Sequence, residues 1–178
     1  LTSFMGCTKE AALESLVFSV TSETPEGGVS LTDLTFRFVQ NDVYYKSQGE
    51  EPEIRELSPV VNPVEAPVIV NVTYAGATFG SGETVWVQVT GWADGKAVSY
   101  FEGEVDLSNF VITNINLSAI SDQCDLDGDG FLNCASVGSE SPFFDCEPED
   151  ADANPWVLRD ECAACLAGKV GVDVDCSG

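Results

Sequence analysis

From Leu13 to Ile120 apolar and polar residues alternate in short runs with a period of two, broken by Gly, Pro and Asp. A period of two puts successive side chains on opposite faces of an extended chain, so each run predicts a strand with one buried face. The clearest runs are Leu34, Phe36 and Phe38, then Val68, Val70, Val72 and Tyr74, then Val85, Val87 and Val89, and finally Phe110 with Ile112. Leu16-Val17-Phe18 and Ala97–Phe101 add two more. The intervening Thr35, Arg37, Asn71, Thr73, Gln88 and Thr90 are expected to meet solvent. Six or more strands in about 110 residues predict a mainly β chain with an immunoglobulin-like or fibronectin-like β-sandwich over residues 13–121. Trp86, Trp92 and Tyr100 are its candidate large core residues. Residues 1–12 form an N-terminal arm ahead of the first strand, and the proline-rich stretch Asn41 to Pro67 reads as a long loop or an edge excursion.

After Ser121 the alternation stops and cysteines take over. Cys124, Cys134, Cys146, Cys162, Cys165 and Cys176 crowd into a polar C-terminal piece, residues 122–178, which has too few large apolar side chains to build a core of its own. Six cysteines there read as three disulfides, which places the protein outside the reducing cytosol. Cys162-Ala-Ala-Cys165 lacks the second CxxC or histidine pair that a zinc site requires. Cys7 leaves the count odd. Phe4-Met5-Gly6-Cys7 sits where a bacterial lipoprotein carries its acylated cysteine, and the alternatives are a free thiol or an intermolecular disulfide. The chain does not open with Met, which suggests a signal peptide removed or lying upstream, and it contains no apolar run of the roughly 20 residues that span a bilayer.

The charge is −23, from 30 acidic residues against 7 basic ones with no histidine. Such a field repels nucleic acid and anionic lipid. Residues 122–178 alone hold 14 acidic and 2 basic residues, so this piece must stay expanded or be neutralised by cations.

Asp125-Leu-Asp127-Gly-Asp129-Gly130-Phe131 supplies the means. Three carboxylates at alternate positions can aim their oxygens at one centre, Gly130 permits the sharp turn, and Phe131 can offer its backbone carbonyl. All these donors are hard oxygens and there is no imidazole, so calcium fits best. An EF-hand would place Glu at the twelfth position, where this chain has Ser136, so any further ligands must come from later in the chain.

The string Asp125-x-Asp127-x-Asp129-Gly130, followed by Asp145-Cys146-Glu147, Asp150, Asn154-Pro155, Cys162 and Asp175-Cys176-Ser177-Gly178, resembles the metal-binding-motif repeat of secreted bacterial proteins, especially those of myxobacteria. It is similar also to thrombospondin type 3 calcium repeats. The resemblance covers residues 122–178 and implies that Asp125, Asp127, Asp129 and the Phe131 carbonyl wrap one calcium ion, with Asp145 and Asp150 completing its shell.

An enzyme is not expected, because histidine, the usual general base, is absent and no GxSxG, GxGxxG or P-loop occurs. Glu102 and Glu104, the best carboxylate pair, alternate on a predicted strand and should face solvent together. The sequence therefore points to an extracytoplasmic calcium-binding structural or interaction protein of a bacterial cell surface, secreted or lipid-anchored. Its partners would be other surface proteins, glycans or copies of itself. The alternative is a subunit of an extracellular filament or layer, joined by β-strand addition of the N-terminal arm to a neighbour.

Overall fold

A computed structural model describes residues 15–24, 28–40, 43–45, 53–56, 62–73, 84–106, 112–121, 124–133, 141–145 and 148–151. The N-terminal arm with Cys7, and Cys134, Cys146, Cys162, Cys165 and Cys176, lie outside these residues, so of the six cysteines expected to pair only Cys124 is described. Among the described residues there is no helix, and eight strands form one mixed sheet. The strands are β1 (Ser15–Ser22), β2 (Asp33–Gln40), β3 (Val43–Tyr45), β4 (Glu53–Glu56), β5 (Val68–Thr73), β6 (Thr84–Ala93), β7 (Lys96–Asp106) and β8 (Thr113–Ala119). Their order is β3-β2-β6-β7-β8-β1-β5, with β4 also pairing β2. The segment expected as a loop or edge excursion thus contributes two short strands to the edge of the sheet.

The sheet curls. β7 and β8 are joined through just two residue pairs, Ser99 with Ala119 and Tyr100 with Ser118, and β8 then runs parallel to β1. This narrow join lets β1 lie opposite β2. Phe18 of β1 stacks on Phe36 and Phe38 of β2 with ring centroids 5.6 and 5.8 Å apart, although the two strands share no ladder. Around these rings pack Leu16, Val20, Leu34, Val70, Val72, Val85, Val87, Val89, Ile115 and Leu117, all buried. The alternation read from the sequence builds this inner core.

At the other end of β6, Asp94 and Gly95 both have positive φ, 52° and 75°, the two-residue turn whose twist matches a hairpin. A register shift follows between Gly91 and Trp92. Gly91 there has no room for a side chain, since a Cβ would fall 2.9 Å from Leu31 Cδ1 and closer still to Ser99 Oγ.

Three expectations are corrected. The last strand begins at Thr113 and buries Ile115 and Leu117, leaving Ile112 47% exposed. The tryptophans do not fill the inner core, which the phenylalanines occupy; Trp86 and Trp92 lie half-buried on the opposite side of the sheet with Tyr100. Most consequentially, the polar residues of β2 and β6 do not meet solvent: Thr35, Arg37, Gln88 and Thr90 are each at most 5% exposed. The chain that follows β8 covers them. Phe131 and Phe143 pack on Val39 and Trp86, while Leu132 and Phe144 pack on Ala97, Tyr100, Trp92 and Ile120.

Replacing Phe36 with Ala removes the ring that β1 and β2 share and should cost about 3–5 kcal/mol, read from the midpoint of urea unfolding.

Candidate metal centre

Ser121 ends the sheet region and the backbone turns at once, with Cys124 N donating to Ser121 O at 3.0 Å. Asn133 N returns to Cys124 O at 2.9 Å, which closes residues 124–133 into a loop. A second strap holds the far side: Leu132 bridges Phe144, Asp145 N donates to Leu132 O, and Asn133 Nδ2 donates to Asp145 O at 2.8 Å.

Inside the loop each aspartate spends one oxygen on the local backbone. Gly128 N donates to Asp125 Oδ1 at 3.0 Å, Asp129 N to Asp127 Oδ1 at 3.2 Å, and Phe131 N to Asp129 Oδ1 at 2.8 Å. These bonds fold a seven-residue stretch so that ligand oxygens of Asp125, Asp127 and Asp129 lie within 4.8 Å of one another. The other oxygen of each carboxylate, Oδ2, is buried and has no hydrogen-bond partner. Gly128 and Gly130 permit the turns, with φ of 84° and 81°. Gly130 is needed for a second reason, because a Cβ there would sit 2.5 Å from Trp92 Cζ2.

Arg37 of β2 fixes this loop on the sheet. Its guanidinium is buried, lies 4.0 Å above the Phe131 ring, and donates to Gln88 Oε1 at 2.7 Å, to Gly130 O at 3.1 Å and to Asp129 O at 2.9 Å. Thr90 Oγ1 adds a weaker bond to Gly130 O at 3.4 Å, and Trp92 Nε1 donates to Thr35 Oγ1 at 2.7 Å beside it. Sequence reasoning missed Arg37, Thr90 and Trp92 as supports of the loop. The available signal was a single cation inside an alternating strand of a chain with seven basic residues.

Burial is the main cause that pushes the Asp129 carboxyl up to about 7, and the nearby charges of Asp127 and Asp145 add to it. Asp125 is raised for the same first reason, with Asp127 contributing and Arg37 opposing. Asp145, expected to close the shell, is fully buried and near enough for its charge to act on Asp129, whereas Asp150 is exposed. Phe131 is held with its ring under Arg37 and its N–H on Asp129. A shallow recess of about 200 Å³, lined by Lys96, Ala97, Asp125, Leu126, Asp127 and Gly128, opens the loop to the outside. Glu102, expected in solvent with Glu104, is instead half-buried, its carboxyl raised by burial and partly offset by a hydrogen bond with Ser141, while Glu104 is exposed.

The donor set fits a hard divalent cation. Three carboxylates converge, each retaining a buried oxygen, and one dication at their centre would turn mutual repulsion into attraction. Asp125, Asp127 and Asp129 would hold the ion.

Arg37→Met should destabilise the protein by about 3 kcal/mol or more, because it strands the carbonyl of Asp129 and the amide of Gln88 and leaves Gly130 O only its weak bond from Thr90, and denaturant unfolding measures it. A pH dependence follows as well. Asp129 has a folded pKa above its unfolded value, so in chelator its contribution is present below about 4 and lost as pH rises through about 7. The melting temperature of Asp129→Asn in chelator should fall less over that window than that of the parent chain.

Set against models of known protein families, curated proteins and solved structures, the chain matches none of them.

Proposed function

We propose that this chain is an extracytoplasmic, non-enzymatic structural or interaction protein of a bacterial surface, in which one calcium ion locks the Asp125–Phe131 loop onto an immunoglobulin-like sheet. The observation that carries this reading is the set of three buried, unpartnered Oδ2 atoms on Asp125, Asp127 and Asp129, whose ligand oxygens gather within 4.8 Å. Calcium takes six to eight hard oxygens in flexible geometry, and a loop of aspartates and glycines supplies such donors. In the proposed site the Phe131 carbonyl and Asp145 complete the shell from the protein side, Asp150 closes it from the later chain, and water enters through the recess beside Lys96. The resemblance of residues 122–178 to secreted calcium repeats supports the same assignment.

The curled sheet supports the immunoglobulin-like reading, with β1, β5 and β8 in one layer and β2, β6 and β7 in the other. The six C-terminal cysteines, in the proposed arrangement, pair among themselves outside the cell. A structural role agrees with a loop pinned by Arg37, since an ion that rigidifies an already docked loop has little motion to transmit.

Terbium provides the test, because Trp92 lies against Gly130 at the edge of the loop and can sensitise a lanthanide held there. Excitation of tryptophan should give terbium emission that calcium displaces, and Asp127→Ala should weaken calcium binding by roughly tenfold or more through loss of one charged ligand. Terbium emission that calcium does not displace, or that Asp127→Ala leaves unchanged, would refute the assignment.

A further inference from the structure

Acid dominates this protein, but among the described residues one outward-facing layer of the sheet carries no charge. The strands β5, β1 and β8 lie side by side, and not one of their residues is charged. Their outward positions are Ile69 and Asn71 on β5, Val17, Ser19 and Thr21 on β1, and Asn114, Asn116 and Ser118 on β8. Charge resumes just beyond the strand ends, at exposed Glu23 and Glu65. β5 ends the strand order of the described residues, and no described strand pairs with its outer side. Its sequence, Val-Ile-Val-Asn-Val-Thr, contains no Lys and no Pro, and its ladder with β1 runs unbroken over six pairs without a bulge. Ile69 is 60% exposed.

We infer that β5 is a self-association edge, at which β5 of a second copy adds antiparallel across a two-fold axis and continues the sheet. The occupant follows from charge. Two chains of −23 repel wherever their acidic surfaces meet, so they approach at least electrostatic cost through a face that carries no charge. A basic partner would have the acidic remainder to bind and no use for a neutral strip. β5 is rich in β-branched residues, which favours extended pairing, and alternate residues of an edge strand turn N–H and C=O groups outward. Because the contact is isologous it closes at two copies, in contrast to a filament. The inference is independent of the aspartate loop.

Sedimentation equilibrium of the full chain in chelator, at low and high NaCl, tests it. The parent protein should show a monomer–dimer equilibrium that tightens with salt, because screening removes the repulsion between like-charged copies. Ile69→Lys should weaken the dimer roughly tenfold or more by setting two like charges at the shared edge. The sign is informative, since this substitution makes the chain less acidic and would strengthen any association governed by net charge. Glu104→Lys, on exposed β7 surface, should leave the dimer intact or tighten it. Far-UV circular dichroism and melting check each variant's fold, and Asn71→Lys replaces Ile69→Lys if that one misfolds. A parent chain that is monomeric at every concentration in high salt overturns the inference. So does growth beyond the dimer, or a dimer that the Lys variants of β5 leave unchanged.

Discussion

A buried guanidinium holds this structure together at its least obvious point. Arg37 sits in the middle of β2, under the aspartate loop, and gives its hydrogen bonds to Gln88 and to the carbonyls of Asp129 and Gly130. A cation taken out of water is costly unless its donors are met, and loop carbonyls taken out of water are costly unless they find donors. Each partner therefore removes the other's penalty. Without the loop, the face of β2 and β6 that bears Arg37, Gln88 and Thr90 would be an ordinary wet sheet surface. Without Arg37, the loop would have no fixed seat.

This dependence explains why β2 and β6 are buried on both sides although their sequences alternate. One side carries Phe36, Phe38, Val85, Val87 and Val89 into the inner core, where they meet Phe18, Val70 and Leu117 across the curl of the sheet. The other side carries Val39, Trp86 and Trp92 under Phe131, Phe143, Leu132 and Phe144. A central strand whose polar face is covered must satisfy every donor and acceptor on that face. Here the pairs Arg37 with Gln88, Trp92 with Thr35, and Thr90 with Gly130 do so. The two apolar clusters flanking Arg37 then exclude water from those bonds, which strengthens them.

The charges divide the molecule into unlike sides. Carboxylates gather in the loop that packs on β2 and β6, close to the buried guanidinium of Arg37, while β5, β1 and β8 carry none. Within the loop, Asp125 and Asp129 are shifted toward protonation, first by their own burial. A cation bound in that loop would offset the repulsion among its three carboxylates.

The sequence by itself determined the alternation of the long strands and the triad. Period-two alternation placed Phe36, Val70, Val87 and their neighbours on inward faces because adjacent strand residues must point opposite ways, whatever the tertiary fold. Likewise the spacing of Asp125, Asp127 and Asp129 beside Gly128 and Gly130 brings the carboxylates together through bonds spanning two or three residues. Which polar face stayed wet was decided only by tertiary structure. Nothing local distinguishes Arg37 and Gln88, which are covered, from Asn114 and Asn116, which are exposed. The difference comes from residues some ninety positions later folding back over one layer and not the other. The same long-range choice sent Trp86 and Trp92 to the outer layer and made the inner core a phenylalanine stack. Alternation fixes that a strand has two faces, but burial of the second face depends on which distant segment packs against it.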